Sequence, residues 1–180
     1  MSGSPGRRLI LLRHAKSAWP DVPDHDRPLA SRGRRDAPAA GRWLRKSGDI
    51  PDRVVCSTAR RARETWELAG EKLRAEPEVV FEPRVYGTGS AGLLDLVRET
   101  PPGVRTLLVV GHDPAMRELT LELADAPPGR DARVARVEAK FPTAAIAVLE
   151  FKETWTDLGP GRAQLTDFAT PDDFRSGSQD

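Results

Sequence analysis

Short apolar runs alternate with helix-length amphipathic segments along this chain, and that alternation narrows the available folds more than any other feature. Arg8–Leu12, Arg53–Cys56, Val79–Phe81 and Thr106–Val110 each read as a short buried strand. Ser31 is placed to cap a helix reaching about Lys46, with Gly48 to end it, while Pro38 inside that span predicts a kink or a late start. A second helix is expected from about Ala59 to Leu73, with Ala62, Trp66 and Ala69 on one face. A third starts at the capping candidate Ser90 and ends near Thr100, and a fourth runs from Pro114 to about Ala124. Pro127–Arg136 reads as a loop, and Ala144–Phe151 and Ala163–Phe168 read as a hairpin around Gly159-Pro160-Gly161. This order predicts an α/β layered domain, with a mostly parallel sheet and an antiparallel edge.

The 180 residues favour one hydrophobic core. Residues 8–170 are expected to form a single domain, with 1–7 a disordered start and 171–180 a mobile polar tail. Lys and Arg number 28 against 27 Asp and Glu, a formal +1 that gives no bulk drive toward nucleic acid or an acidic membrane. No apolar stretch is long enough to span a bilayer, and Leu9–Leu12 is too short for a secretory core. The single cysteine, Cys56, lies in an apolar run and reads as a buried strand residue rather than a reactive thiol. Cytoplasm is the expected compartment.

Open α/β sheets bind ligands beyond the C-terminal ends of their strands. The first strand ends in Arg13-His14-Ala15-Lys16-Ser17, the second in Ser57-Thr58-Ala59-Arg60-Arg61-Ala62, and the strand at Thr106–Val110 in Gly111-His112-Asp113-Pro114. Two of the three histidines thus leave equivalent strand ends, with arginines beside them. Each island alone has a bland reading as a surface pair, a capped helix or a turn. Together they match phosphoryl transfer, which rests on positioning and on stabilising charge spread over three oxygens. Arginine forks fit phosphate oxygens, a neutral imidazole can attack phosphorus in line, and a second imidazole adds donors. No His, Cys or carboxylate cluster has metal-ligand spacing, so neither a metal nor another cofactor is expected.

With those residues in view, the chain resembles the histidine phosphatase superfamily, also called phosphoglycerate mutase-like, from Leu9 to about Phe151. Arg13-His14 resembles its Arg-His-Gly signature, which makes His14 the phosphorylated nucleophile and Arg13 a phosphate ligand. Ser57-x-x-x-Arg61-Ala62-x-x-Thr65 resembles the second motif and assigns Arg61 to the pocket. Gly111-His112 resembles the third, with His112 the second pocket histidine. The chain is most similar to SixA-type phosphohistidine phosphatases. Asp26-Arg27-Pro28-Leu29 before Ser31-x-Gly33 resembles their approach to the first helix and brings Arg27 to the phosphate. The short stretch from Arg61 to His112 leaves no room for a large cap. The resemblance implies a three-layer phosphoglycerate mutase-like fold.

Two departures stand out. Ala15 replaces the family's glycine, which implies ordinary backbone there. Glu82 lies one residue away from the place of the mutases' general acid and is not assigned to catalysis. Among neighbours, Lys16 and Ser17 are candidates for secondary phosphate contacts, and Ser57 is a candidate cap or ligand. His25 is expected in solvent, Trp43 and Trp66 in the core, and Asp113 in a turn. The expected function is a phosphatase that forms a covalent phosphohistidine on His14, acting on phosphohistidine in a protein. Alternatives are a small-molecule phosphomonoesterase of the same fold, on a sugar phosphate or nucleotide, and a non-enzymatic phosphate- or partner-binding module. The sequence leaves the oligomeric state open.

Overall fold

A computed structural model describes residues 6–127 and 129–176. The elements run β1 (Arg7–Arg13), α1 (Ser31–Ser47), β2 (Arg53–Ser57), α2 (Arg60–Leu73), β3 (Glu78–Glu82), α3 (Ser90–Arg98), β4 (Thr106–Gly111), α4 (Ala115–Leu123), α5 (Ala132–Ala139), β5 (Ile146–Phe151), β6 (Gln164–Ala169) and α6 (Pro171–Ser176). The sheet order is β3-β2-β4-β1-β5-β6. β3, β2, β4 and β1 pair in parallel, whereas β5 pairs antiparallel with both β1 and β6. The terminal hairpin thus supplies the antiparallel side of a mostly parallel sheet.

Side-chain alternation along β1 divides the interior into two cores. Leu9 and Leu11 join Leu107 and Val109 against Leu93 and Val97 of α3, Met116 and Leu119 of α4, and Val134 and Val137 of α5. Ile10 and Leu12 join Val54, Cys56, Leu108 and Val110 against Ala37, Ala40 and Leu44 of α1, and Ala62 and Leu73 of α2. The result is three layers, helix–sheet–helix. Between α2 and β4 the chain forms only β3, a single 3-10 turn and α3, so no cap covers the strand ends. Cys56 is buried, and its burial pushes the thiol up to about 12, which leaves it unreactive. No helix among the described residues is long and apolar enough to cross a membrane.

Several local expectations are corrected. α1 begins at Ser31 and runs on through Pro38, so the late start is not taken. The hydrogen bond that proline removes is outweighed by a face of Gly33, Ala37, Ala40, Gly41 and Leu44 packed into the core. Ser31 and Ser90 do not cap their helices; Ala30 and Gly89 hold those positions. The Ala30 amide is instead taken by the Lys16 carbonyl at 2.9 Å, which draws the start of α1 onto the loop after His14. Gly33 permits that approach, since a Cβ there would lie 2.1 Å from the Lys16 carbonyl oxygen. The expected loop at Pro127–Arg136 ends in α5, where the Asp131 side chain accepts from the Arg133 and Val134 amides. Arg7, expected in a disordered start, pairs with Phe151 in the sheet; residues 1–5 lie outside the described part. The expected mobile tail forms α6 over Pro171–Ser176, because buried Phe174 packs 6.4 Å from the Trp43 ring. Residues 177–180 lie outside the described part.

Candidate active site

The parallel register pairs Arg13 with Gly111, so His14 and His112 leave adjacent strands side by side. The His14 amide donates to the Gly111 carbonyl at 2.9 Å. The two imidazoles stand 5.2 Å apart at 54°. His14 is buried, and its Nδ1 lies 2.8 Å from the Ala15 carbonyl oxygen. A carbonyl only accepts, so Nδ1 carries the proton and Nε2 keeps its lone pair. Burial pushes the His14 pKa down to about 3; His112, Arg61 and Arg13 push the same way, against the bond to Ala15. The ring is therefore neutral and oriented at neutral pH.

The loop holding it is tied to two other elements. The Ala15 amide donates to Thr65 Oγ1 at 2.9 Å, and Thr65 donates to the Arg61 carbonyl at 2.7 Å. Ala144, in the left-handed region at φ 63°, places its amide 3.1 Å from the carbonyls of both Arg13 and His14. Ala15 itself is not among the positive-φ residues, in keeping with the ordinary backbone inferred for it.

Three arginines close around the histidines. Arg13 Nη1 donates to the Phe141 carbonyl at 2.8 Å. Arg61 is buried and donates to the Asp24 carbonyl at 2.8 Å and to Asp24 Oδ2 at 3.1 Å. Arg27, also buried, donates to Ser17 Oγ at 2.9 Å, to the Ala18 carbonyl at 3.1 Å and to Asp24 Oδ1 at 3.0 Å. Its guanidinium lies 3.6 Å over the Trp19 ring. His112 Nε2 is 2.7 Å from Ser57 Oγ, which also accepts the Ala59 amide at 3.2 Å. The Ser57 hydroxyl, one donor with two acceptor lone pairs, thus ties the Ala59 amide and His112 Nε2 together. Burial, then Arg61, lowers the His112 pKa to about 4, with Asp24 opposing. Arg13 Nε, Arg61 Nε and His112 Nδ1 are buried without a hydrogen-bond partner. Unpaired buried nitrogens on two arginines and an imidazole fit an oxyanion.

The structure thus brings Arg13, His14, Arg27, Arg61 and His112 to one place. Other candidates fall differently. Ser17 is buried and holds Arg27; Lys16 is exposed, and its backbone serves α1. Ser57 orients His112 rather than capping α2, whose N-cap is Ala59. Asp113 accepts the Arg117 amide at 3.3 Å, a turn role. Glu82 pairs with Arg84. His25, expected in solvent, is half-buried, because its ring packs 4.9 Å edge-on to Tyr86 and bonds Thr58 Oγ1 at 2.9 Å. Beyond His25 and Thr58 lies a groove of about 930 Å³ walled by Trp66, Val79 and Phe81. Sequence reasoning missed Asp24 and Tyr86. Asp24 receives the Tyr86 hydroxyl at 2.6 Å as well as both arginines. The Tyr86 bond above all, then those of Arg27 and Arg61, holds its carboxyl below the usual range despite some opposing desolvation. The only available signal was its place three residues before Arg27.

The buried histidines make acid stability testable. The folded His14 pKa of about 3 lies below its ordinary 6.5, so between those values the unfolded chain binds more protons. The contribution to stability is complete above pH 6.5 and declines as pH falls through that window. His14→Gln removes the titration. Its denaturant midpoint should fall less steeply from pH 6.5 to 4 than the native chain's, and parallel slopes would count against the assigned neutral state.

Comparison with known proteins agrees with this fold. Residues 9–85 match the family model for the histidine phosphatase superfamily, branch 1. An uncharacterised protein of Mycobacterium tuberculosis is 45% identical over 162 residues, covering 89% of this chain and 99% of that protein. The phosphohistidine phosphatase SixA of Escherichia coli K12 is 27% identical over 151 residues, 82% of this chain and 87% of that protein. A solved structure from Nakamurella multipartitia, assigned as the phosphohistidine phosphatase SixA, superposes with TM-score 0.84 at 34% identity, covering 94% of this chain and 99% of that one. The protein histidine phosphatase SixA in complex with tungstate superposes with TM-score 0.69 at 26% identity, covering 91% and 97%. On the extent of these matches, the chain belongs to the histidine phosphatase superfamily.

Proposed function

We propose that this phosphatase moves a phosphoryl group from phosphohistidine on a protein to His14 Nε2, then to water, and that it acts in the cytoplasm. The observation that carries the reading is the His14 ring itself. Its Nδ1–H is fixed on the Ala15 carbonyl, so a neutral Nε2 lone pair stands among Arg13, Arg27, Arg61 and His112. The arginines would hold the three phosphoryl oxygens and offset their charge as phosphorus passes between nitrogens. His112 Nδ1, buried without a partner, would be a further donor for one of those oxygens. Tungstate, a tetrahedral oxyanion, binds the related SixA, which supports an oxyanion cradle here.

The uncapped strand ends support a macromolecular substrate, since an open site offers a small metabolite few walls for remote binding energy. One observation favours a second reading. The groove beside His25 could receive the apolar body of a phosphomonoester, which would make the chain a small-molecule phosphatase. Side-by-side kcat/KM values at one pH on a phosphohistidine protein, nucleotides and sugar phosphates decide between them. The phosphohistidine protein should lead by at least about tenfold, or roughly 1.4 kcal/mol in transition-state binding. A monoester in first place would remove the substrate assignment and leave His14 as nucleophile.

A further inference from the structure

Asp24 is an oddity in an anion site. Its carboxylate lies against two of the guanidiniums that would hold phosphate, and its negative charge opposes a phosphoryl group there. Oδ1 accepts from Arg27 at 3.0 Å; Oδ2 accepts from Arg61 at 3.1 Å and from Tyr86 at 2.6 Å. A carboxylate offers about four acceptor positions, so one remains, on Oδ1. The side chain is 49% exposed, so a group held beside Arg27 and Arg61 can approach it from solvent. Tyr86 also packs 5.6 Å edge-on to His112, so Asp24 sits one ring away from the proposed site of transfer. Three donors hold the carboxyl ionised, which bars it from serving as a general acid. Glu82 is paired with Arg84 and offers no alternative.

We propose that Asp24 is a further catalytic residue that selects phosphoimidazole substrates, by accepting the N–H of the ring nitrogen remote from phosphorus. This rests on the phosphohistidine reading above. A phosphoimidazole departs well only if that remote nitrogen is protonated, because the ring then leaves as neutral imidazole rather than as an anion. An ionised carboxylate at the rim favours that protonated form. In the first step the Nε2 lone pair of His14 forms the new P–N bond. The substrate's P–N bond breaks, its electron pair returns to the substrate ring, and the remote N–H stays where it was. No proton changes hands. In the second step water attacks phosphorus, the His14–phosphorus bond breaks, and both water protons leave with inorganic phosphate. His14 also departs neutral, since its own Nδ1–H rests on the Ala15 carbonyl at 2.8 Å. Asp24 would thus do for the substrate ring what the Ala15 carbonyl does for His14, and the site needs no separate acid for either step.

The test is Asp24→Asn, a substitution of equal size at an exposed position. kcat/KM is measured on a phosphohistidine peptide and on p-nitrophenyl phosphate, whose leaving group needs no proton. Loosening of Arg27 and Arg61 costs both substrates alike, so the ratio isolates the leaving-group contact. The ratio of phosphohistidine to aryl phosphate should fall at least tenfold, and Asp24→Glu should recover part of it. An unchanged ratio, with the native enzyme still preferring phosphohistidine, would overturn the role of Asp24 alone. A native enzyme with no such preference would overturn the substrate reading and this proposal together.

Discussion

Replacing His14 by alanine should lower kcat/KM by about 10⁴-fold or more, on the scale seen when the nucleophile of a covalent enzyme is removed. The expected loss is that large because nothing nearby can substitute. His112 is held through Nε2 by Ser57 at 2.7 Å. Cys56 is buried, with its thiol pushed up to about 12. Rapid quenching of the native enzyme should trap phosphate that is acid-labile and base-stable, as a P–N bond requires, and His14→Ala should carry none. Label that persists in the variant would move the nucleophile elsewhere.

Arg61→Ala is expected to cost about 10³-fold in kcat/KM, the lower end of what a phosphate-clamping arginine contributes. Two effects combine in that figure. The unpaired Nε and the positive charge proposed to hold phosphate are lost, and the Asp24 carboxylate loses one of its charged partners, 3.1 Å away. An anion less well neutralised at the rim then repels the incoming phosphoryl group. Adding Asp24→Asn to Arg61→Ala should therefore recover part of the aryl phosphatase activity, a non-additivity expected of residues in direct contact. Arg61→Lys should remain well below the native enzyme, because an ammonium cannot span the Asp24 carbonyl and carboxylate as the guanidinium does. Strict additivity in the double variant would separate Asp24 from the anion cradle.

Most of the sheet could be read from the chain because its strands are continuous apolar runs, such as Leu107–Val110, that suit only a doubly covered sheet. The pocket residues were legible for a related reason. Arg13, His14 and His112 sit where those runs stop, and parallel register carries them to one edge, with Arg61 at the start of the helix after β2; Arg27 was reached only through the family resemblance. Asp24 was not legible, because a carboxylate in a Pro- and Asp-rich loop reads as a solvated turn. Its meaning comes from meeting Arg61, 37 residues away. α5 was obscured by the prolines and charges around it, although Val134 and Val137 at helical spacing behind Asp131 did carry a signal. α6 rests on one buried aromatic, Phe174, too little periodicity to register in the sequence. His25 was misjudged because its partners, Tyr86 and Thr58, come from distant segments.

The anchoring of the pocket has an evolutionary side. Arg13, His14, Arg27 and Arg61 each donate an orienting hydrogen bond to a main-chain carbonyl, those of Phe141, Ala15, Ala18 and Asp24 respectively. Ordinary substitution cannot delete a carbonyl, so mutations at those four positions leave the acceptor in place as long as the backbone path is kept. Rim side chains such as Asp24, His25 and Tyr86 have no such insurance, since a single codon change removes what they offer. Descendants of this chain can therefore explore new phosphorylated substrates by altering the rim while the transfer chemistry is inherited nearly intact.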